Sequence, residues 1–160
     1  MRLQRFAPAK VNLFLHVGAP DSEGYHPLAS LVVFADVGDR LSLAGAEYTE
    51  LIVEGPFAKG LQGAHDNLVL RALRLLEGDL GAQLPPLRLI LDKQLPIAAG
   101  LGGGSSDAAA VLHLLNEALE LDLPTQRLEL VAERIGADGP MCVAARPAIA
   151  EGRGERLSPA

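Results

Sequence analysis

Val11, Leu13, Leu15 and Val17 alternate with Asn12, Phe14 and His16, the period-two pattern of a strand with one polar face. Four further apolar runs, over 28–36, 41–43, 49–54 and 87–92, are rich in Val, Ile and Leu, and Gly, Pro or Asp bound them, so they predict strands too. Helical spacing takes over at 67–77, where Val69, Ala72, Leu73 and Leu76 form a stripe behind the candidate cap Asp66. A second helix follows Ser105 and Ser106, with Ala108, Val111, Leu112, Leu115 and Leu119 on one face. A third opens at Pro124-Thr125, buries Leu128, Val131, Ala132 and Ile135, and is predicted to stop in a left-handed turn at Gly136. Residues 142–150 read as a closing strand. Strands first and helices interleaved late predict an α+β fold, a mixed or antiparallel sheet with about three packed helices, and not regular βαβ winding.

The length of 160 residues fits one domain, in which roughly 70 % of the unfolded chain's surface is buried without help from a disulfide or structural metal. With 4 % aromatic residues and no Trp, the core must be built from Leu, Val, Ile and Ala. The net charge of −6 is split evenly between the two halves, which speaks against a nucleic-acid partner held through its phosphates. Cys142 is the sole cysteine, so no intrachain disulfide framework exists, and no Cys/His cluster has zinc spacing. No run approaches the roughly 18 apolar residues of a membrane span. Lys10, Asn12 and His16 interrupt the apolar stretch after Arg2 and Arg5, unlike a cleaved signal peptide. These features predict a cytoplasmic protein without a membrane partner.

The most informative stretch is Leu95, Pro96, Ile97, Ala98, Ala99, Gly100, Leu101, Gly102, Gly103, Gly104, Ser105, Ser106 and Asp107. Its glycines let the backbone take positive φ and approach a ligand closely, and its serines stand where a helix begins. Backbone N–H groups and the positive end of a helix dipole then converge on one point, which is how proteins hold phosphate. A flexible turn with a serine cap would not need four glycines. The stretch is neither a Walker loop, a Rossmann fingerprint nor a nucleophile elbow: the lysine, the spacing and the closing glycine those motifs require are absent.

Blocks that match in order along nearly the whole chain make it resemble the GHMP kinases. They are Pro8–Leu15, Gly24-Tyr25-His26, Asp66–Val69, Asp92–Ser106, Gly136–Asp138 with Pro140, and Glu151–Glu155. The resemblance implies the ribosomal protein S5 domain 2-like fold and ATP-dependent phosphorylation of a small molecule. The substrate implied is a methylerythritol unit on a cytidine diphosphate handle, phosphorylated at its 2-hydroxyl on a route to isoprenoid precursors. Carried over residue by residue, Asp138 would be the general base and Lys10 the neighbouring cation. Asn12, which period two places on the face of Lys10, would bind substrate, as would Tyr25 and His26 at the cytosine. Residues 96–106 would hold the ATP phosphates, with Lys93 and Asn67 close to the nucleotide. Magnesium would accompany ATP; no carboxylate pair makes a metal cage, and Ser105 or Ser106 is the candidate ligand. His16, His65 and His113 match no functional position and are expected to pack.

Two positions depart from the pattern: Gly139 and Arg153 stand where apolar residues are expected. The resemblance also implies a second α+β domain, which is missing before Ala160, so the chain reads as an N-terminal, ATP-binding domain. The alternative reading is therefore a truncated domain that binds nucleotide or a partner without turnover. An RNA-binding module, suggested by the S5-like fold alone, is disfavoured by the acidic balance.

Overall fold

The computed structural model describes residues 3–61 and 66–160. Arg2 and His65, weighed above as part of a leader-like start and as a packing histidine, lie outside them. The framework is a long antiparallel hairpin of β1 (Leu3–Val17) and β2 (Leu28–Gly45). The second edge of β2 is shared. Its C-terminal part, Arg40 to Gly45, pairs with β4 (Leu87–Asp92), and its N-terminal part, Leu28 to Val32, with β5 (Ala148–Gly152), both antiparallel. β3 (Glu50–Glu54) joins β4 in parallel through α1 (Leu68–Leu80), and β6 (Arg156–Pro159) closes the far side on β5. The strand order is β3-β4-β2-β5-β6, with β1 on β2.

The sequence pattern splits β2 in two because Asp36, Gly38 and Asp39 look like breakers. They are instead the means by which one strand bends. The pairing slips between Pro8 and Lys10, where β2 carries the extra residues, and again between Asn12 and Phe14, where β1 does. Gly38 crosses directly over β1: a Cβ there would sit 2.1 Å from the Ala7 carbonyl oxygen. The second slip breaks the expected alternation. Leu13, Leu15 and Val17 remain 61 %, 52 % and 59 % exposed, so the apolar row of the alternating pattern is an open edge among the described residues.

The helices pack with α2 (Gly103–Ala118) at the centre, against β1 and β2 on one side and α1, α3 (Thr125–Glu133) and α4 (Gly139–Ala144) on the others. It is therefore buried nearly all round, Ala108, Val111, Leu112, Leu114 and Leu115 having almost no exposed surface. Leu41, Leu89 and Leu91 from the sheet and Val69, Ala72 and Leu76 from α1 complete the core. The cap of α1 is Asn67, whose Oδ1 accepts from the Val69 N–H at 2.8 Å, one residue after the expected Asp66. α3 stops without a left-handed Gly136. The closing strand predicted over 142–150 is divided: Pro140 in the first turn starts α4, left-handed Ala145 ends it, and β5 follows. β6 lies beyond any signal in the pattern.

Gly139 has its own reason for lacking a side chain. A Cβ there would lie 2.1 Å from the Ala132 carbonyl oxygen, so α4 folds back directly on α3. Cys142, on α4, is buried, and burial, with Asp138 adding to it, pushes its thiol up to about 12. The native chain is expected to resist alkylation by iodoacetamide at pH 8 and to react only in denaturant; rapid labelling of native protein would refute this packing. Gly38→Ala is expected to lower stability by about 1–3 kcal/mol, read as a fall in the urea midpoint. An unchanged midpoint would show that the hairpin can spread to admit a methyl group.

Candidate functional site

Three segments meet at the N-terminus of α2. The glycine-rich turn reaches it with Ala98, Gly100 and Gly102 all left-handed, and Gly102, at φ +62°, is the residue from which the helix starts. Close approach adds to that demand. A Cβ on Gly102 would stand 3.0 Å from Cβ and Cε of Lys10, and one on Gly103 would stand 3.1 Å from Nζ of Lys93. The turn is stitched to β1 by the Lys10 N–H, which donates to the Leu101 carbonyl at 2.8 Å, and by Ser106 Oγ, which donates to the Pro8 carbonyl at 2.7 Å. Above it opens a cavity of about 330 Å³, lined by the turn from Pro96 to Ser105, by Asn67 and Leu68 at the start of α1, and by Lys93 and Asp107. Ser105 lines the cavity, whereas the hydroxyl of Ser106 is turned to β1.

Under the turn lies a buried cluster of charge. The Lys93 ammonium, 2 % exposed, contacts Asp39 Oδ2 at 2.5 Å and Asp107 Oδ2 at 2.8 Å. Asp39 Oδ1 accepts from the Gln94 and Leu95 N–H groups at 2.6 and 2.8 Å, fixing the path by which the chain leaves β4 for the turn. The sequence reading gives neither carboxylate a site role, although a charge on a helix's buried stripe, as at Asp107, is the signal that finds such groups. Burial opposes the charge on Lys93, but Asp107 and Asp39 outweigh it and hold its pKa up. Burial likewise pushes the Asp107 carboxyl up to about 8 against the pull of Lys93, and its Oδ1 has no hydrogen-bond partner.

This shift has a sign. A carboxyl whose pKa is higher folded than unfolded stabilises the protein most below its unfolded pKa of about 4, and the contribution is lost as pH rises towards 8. Asp107→Asn, which cannot ionise, is expected to flatten the decline of urea stability between pH 5 and 9. Equal slopes for the two proteins would remove Asp107 as the titrating group.

Beside the turn, Lys10 is 7 % exposed and its Nζ lies 3.3 Å from Asp138 Oδ2. The same ammonium donates to Asn12 Oδ1 at 3.1 Å, as the shared strand face predicts. Asn12 is oriented in turn by Ser30, buried on β2, to whose Oγ it donates at 2.6 Å; Ser30 passes its own proton to the Phe14 carbonyl at 2.7 Å. Ser30 carries no signal in the sequence. Asp138 precedes α4 but its side chain does not cap it, leaving the carboxylate, 42 % exposed, facing Lys10.

Tyr25 and His26 sit elsewhere, on the loop joining β1 to β2, beyond the end of the strand that carries Asn12. His26 Nδ1 donates to the Gly18 carbonyl at 2.8 Å, which leaves Nε2 to meet a ligand. Tyr25 is 52 % exposed, and the Arg153 guanidinium lies over its ring. Of the histidines expected to pack, His16 lies against the Phe14 ring, and His113 donates from Nε2 to the Val143 carbonyl at 2.9 Å. Burial lowers the pKa of His113, so it is neutral at pH 7. Among the described residues, no group of three or more His, Cys, Asp or Glu could hold a metal, and no helix is long and apolar enough to cross a membrane.

The family model of the GHMP kinases N terminal domain matches residues 67–146, from the cap of α1 through the glycine turn and Asp138 to the end of α4. The chain belongs to the GHMP kinase family. It is 60 % identical over all 160 residues to a Caulobacter vibrioides protein named 4-diphosphocytidyl-2-C-methyl-D-erythritol kinase, of which it covers 55 %. A Brucella melitensis protein of the same name is 48 % identical, with 98 % of this chain and 54 % of that protein aligned. A crystal structure of 4-(cytidine 5'-diphospho)-2C-methyl-D-erythritol kinase superposes with a TM-score of 0.82 at 39 % identity, over 99 % of this chain and 55 % of that one. The GHMP kinase fold is thus the α+β arrangement expected from the sequence. The chain spans about half the length of the relatives it matches.

Proposed function

We propose that this chain is the N-terminal, ATP-binding domain of a small-molecule kinase that phosphorylates the 2-hydroxyl of 4-diphosphocytidyl-2-C-methyl-D-erythritol on the way to isoprenoid precursors. The observation that carries the reading is the Lys10–Asp138 pair, held at 3.3 Å against the turn that opens α2. A carboxylate in that place accepts the proton of the attacking hydroxyl, and the ammonium beside it meets negative charge developing on the transferred phosphoryl group. Asn12 fixes the direction of the ammonium. The turn from Pro96 to Ser105 offers backbone N–H groups and the positive end of a 16-residue helix to the ATP phosphates. Lys93 and Asn67 line the same cavity and hold its shape, Lys93 through Asp39 and Asp107, Asn67 by capping α1. Ser106 acts by tying the turn to Pro8.

The fit to a nucleotide rests on a turn kept free of side chains, in which even a Cβ at Gly102 or Gly103 would press on Lys10 or Lys93 at 3.0 and 3.1 Å. Magnesium arriving with ATP would be held mainly by phosphate oxygens, with the Ser105 hydroxyl as its protein ligand, and would neutralise phosphate charge. Tyr25 and His26 take the cytosine, the ring by stacking and His26 Nε2 by a hydrogen bond. Their place on the loop beyond the end of β1, apart from Lys10 within the strand, suits a substrate whose handle is bound away from its reacting hydroxyl. The protein works in the cytoplasm on this small molecule, without nucleic acid or membrane.

The exposed row Leu13, Leu15 and Val17 favours a second reading, in which the chain binds both ligands but turns over only when joined to further sequence. The test measures phosphoryl transfer by this chain, alone and fused to the second half of a relative, alongside calorimetry with a non-hydrolysable ATP analogue. Asp138→Asn is expected to cut turnover by about 10²–10⁴-fold while the analogue's Kd moves less than about threefold. Turnover within a few-fold of wild type would remove Asp138 as the base. A folded chain that binds neither ligand would overturn the second reading.

A further inference from the structure

Arg153 is pinned at both ends. Its backbone lies in the turn between β5 and β6, flanked by two left-handed glycines, Gly152 at φ +73° and Gly154 at φ +104°. Glu155 Oε2 accepts its N–H at 2.6 Å. The side chain leaves that turn for the neighbouring β1–β2 loop, to which Leu28↔Gly152 pairing brings it close. There its Nη2 donates to Glu23 Oε2 at 2.5 Å and stands 3.7 Å from Asp21 Oδ2, and its Cζ lies 3.5 Å from the centre of the Tyr25 ring.

The loop that presents Tyr25 is equally fixed. Asp21 Oδ1 accepts from the N–H groups of Glu23 and Tyr25, both at 2.9 Å, and the Asp21 N–H returns a bond to the Tyr25 carbonyl at 2.7 Å. Gly24, at φ +83°, makes that reversal possible. The Tyr25 ring itself carries the guanidinium of Arg153 on one face. An exposed tyrosine at a loop tip would otherwise sample several rotamers and lose that freedom on stacking against a ligand.

We propose that Arg153 is a positioning residue that holds Tyr25 as a fixed stacking platform and so sets the affinity for the pyrimidine nucleotide end of the substrate. The proposal rests on the reading of Tyr25 as the base-binding residue. Its physical content is that a planar cation, tethered by two carboxylates, does what an apolar neighbour cannot do at the same place. It locks the ring through cation–π attraction and is itself locked by charge. A lysine keeps the charge but not the plane, which separates this role from a simple surface ion pair.

The test is a titration of this chain with cytidine 5'-diphosphate, followed by NMR, for the wild type and for Arg153→Leu, Arg153→Lys and Tyr25→Leu. Arg153→Leu is expected to raise the Kd about three- to tenfold while leaving that of a non-hydrolysable ATP analogue within about twofold, and Arg153→Lys to recover only part of the loss. In the ligand-free wild type, the Arg153 side-chain protons are expected to show an upfield ring-current shift that Tyr25→Leu abolishes. Loss of affinity in Tyr25→Leu with none in Arg153→Leu would overturn the role of Arg153 and leave the base site standing. Wild-type protein that does not bind cytidine diphosphate, or binding untouched by Tyr25→Leu, would overturn the reading of Tyr25 and the proposal with it. Full rescue by Arg153→Lys, or absence of the ring-current shift, would reduce the contact to an ordinary ion pair and refute the stacking role.

Discussion

The buried ammonium of Lys93 is the constraint on which the rest of the site depends. It joins β2, through Asp39, to the N-terminal part of α2, through Asp107, at the point where β4 ends and the glycine-rich turn begins. Buried charges of this kind add little net stability, because desolvation offsets most of the attraction, yet removing one partner strands the others at a cost of about 3–5 kcal/mol. The cluster therefore acts on arrangement more than on stability. Asp39 fixes the exit of the chain from β4, Asp107 fixes the start of the helix, and the turn between them has one path left to follow.

That path explains why small residues recur where they do. The turn passes between two lysine side chains, one paired with Asp138 and one serving the buried cluster, so at Gly102 and Gly103 the backbone comes within touching distance of both. Anion binding at a helix N-terminus needs exposed N–H groups, and here the same absence of side chains that exposes them also lets the lysines approach. One sequence feature satisfies two packing demands.

How far the chain could be read without coordinates follows from the range of the interactions involved. The helical stripes of α1 and α2, the glycine turn and the shared face of Lys10 and Asn12 are local patterns, and they stand in the structure where periodicity puts them. The continuity of β2 is hidden because Asp39 looks like a strand breaker until its partner Lys93, just past the end of β4 and more than fifty residues away, is known. The slip at Leu13 depends on β2, and α4 on the fit of Gly139 against Ala132, neither of which spacing reveals. Resemblance to a family brought together Lys10, Asp138 and the turn, which no local pattern connects. It carried no sign of Ser30, and at Arg153 it marked an unexpected residue without saying what the guanidinium would touch.

The sharing of one edge of β2 also bears on how the chain is made. On that edge, Leu28 to Val32 pairs with Ala148 to Gly152, about 120 residues later. At about 5–20 residues per second, a ribosome leaves that edge open for roughly 6–24 s after it emerges, while the segment of β2 that pairs with β4 is covered much sooner. During synthesis the hairpin is thus a nascent template with half of its outer rim unsealed, the state in which pairing with another growing chain competes with folding. The acidic Asp36 and Asp39, placed midway along that strand, put charge and a bend at the boundary between the two halves, as a gatekeeper does in a strand that must wait.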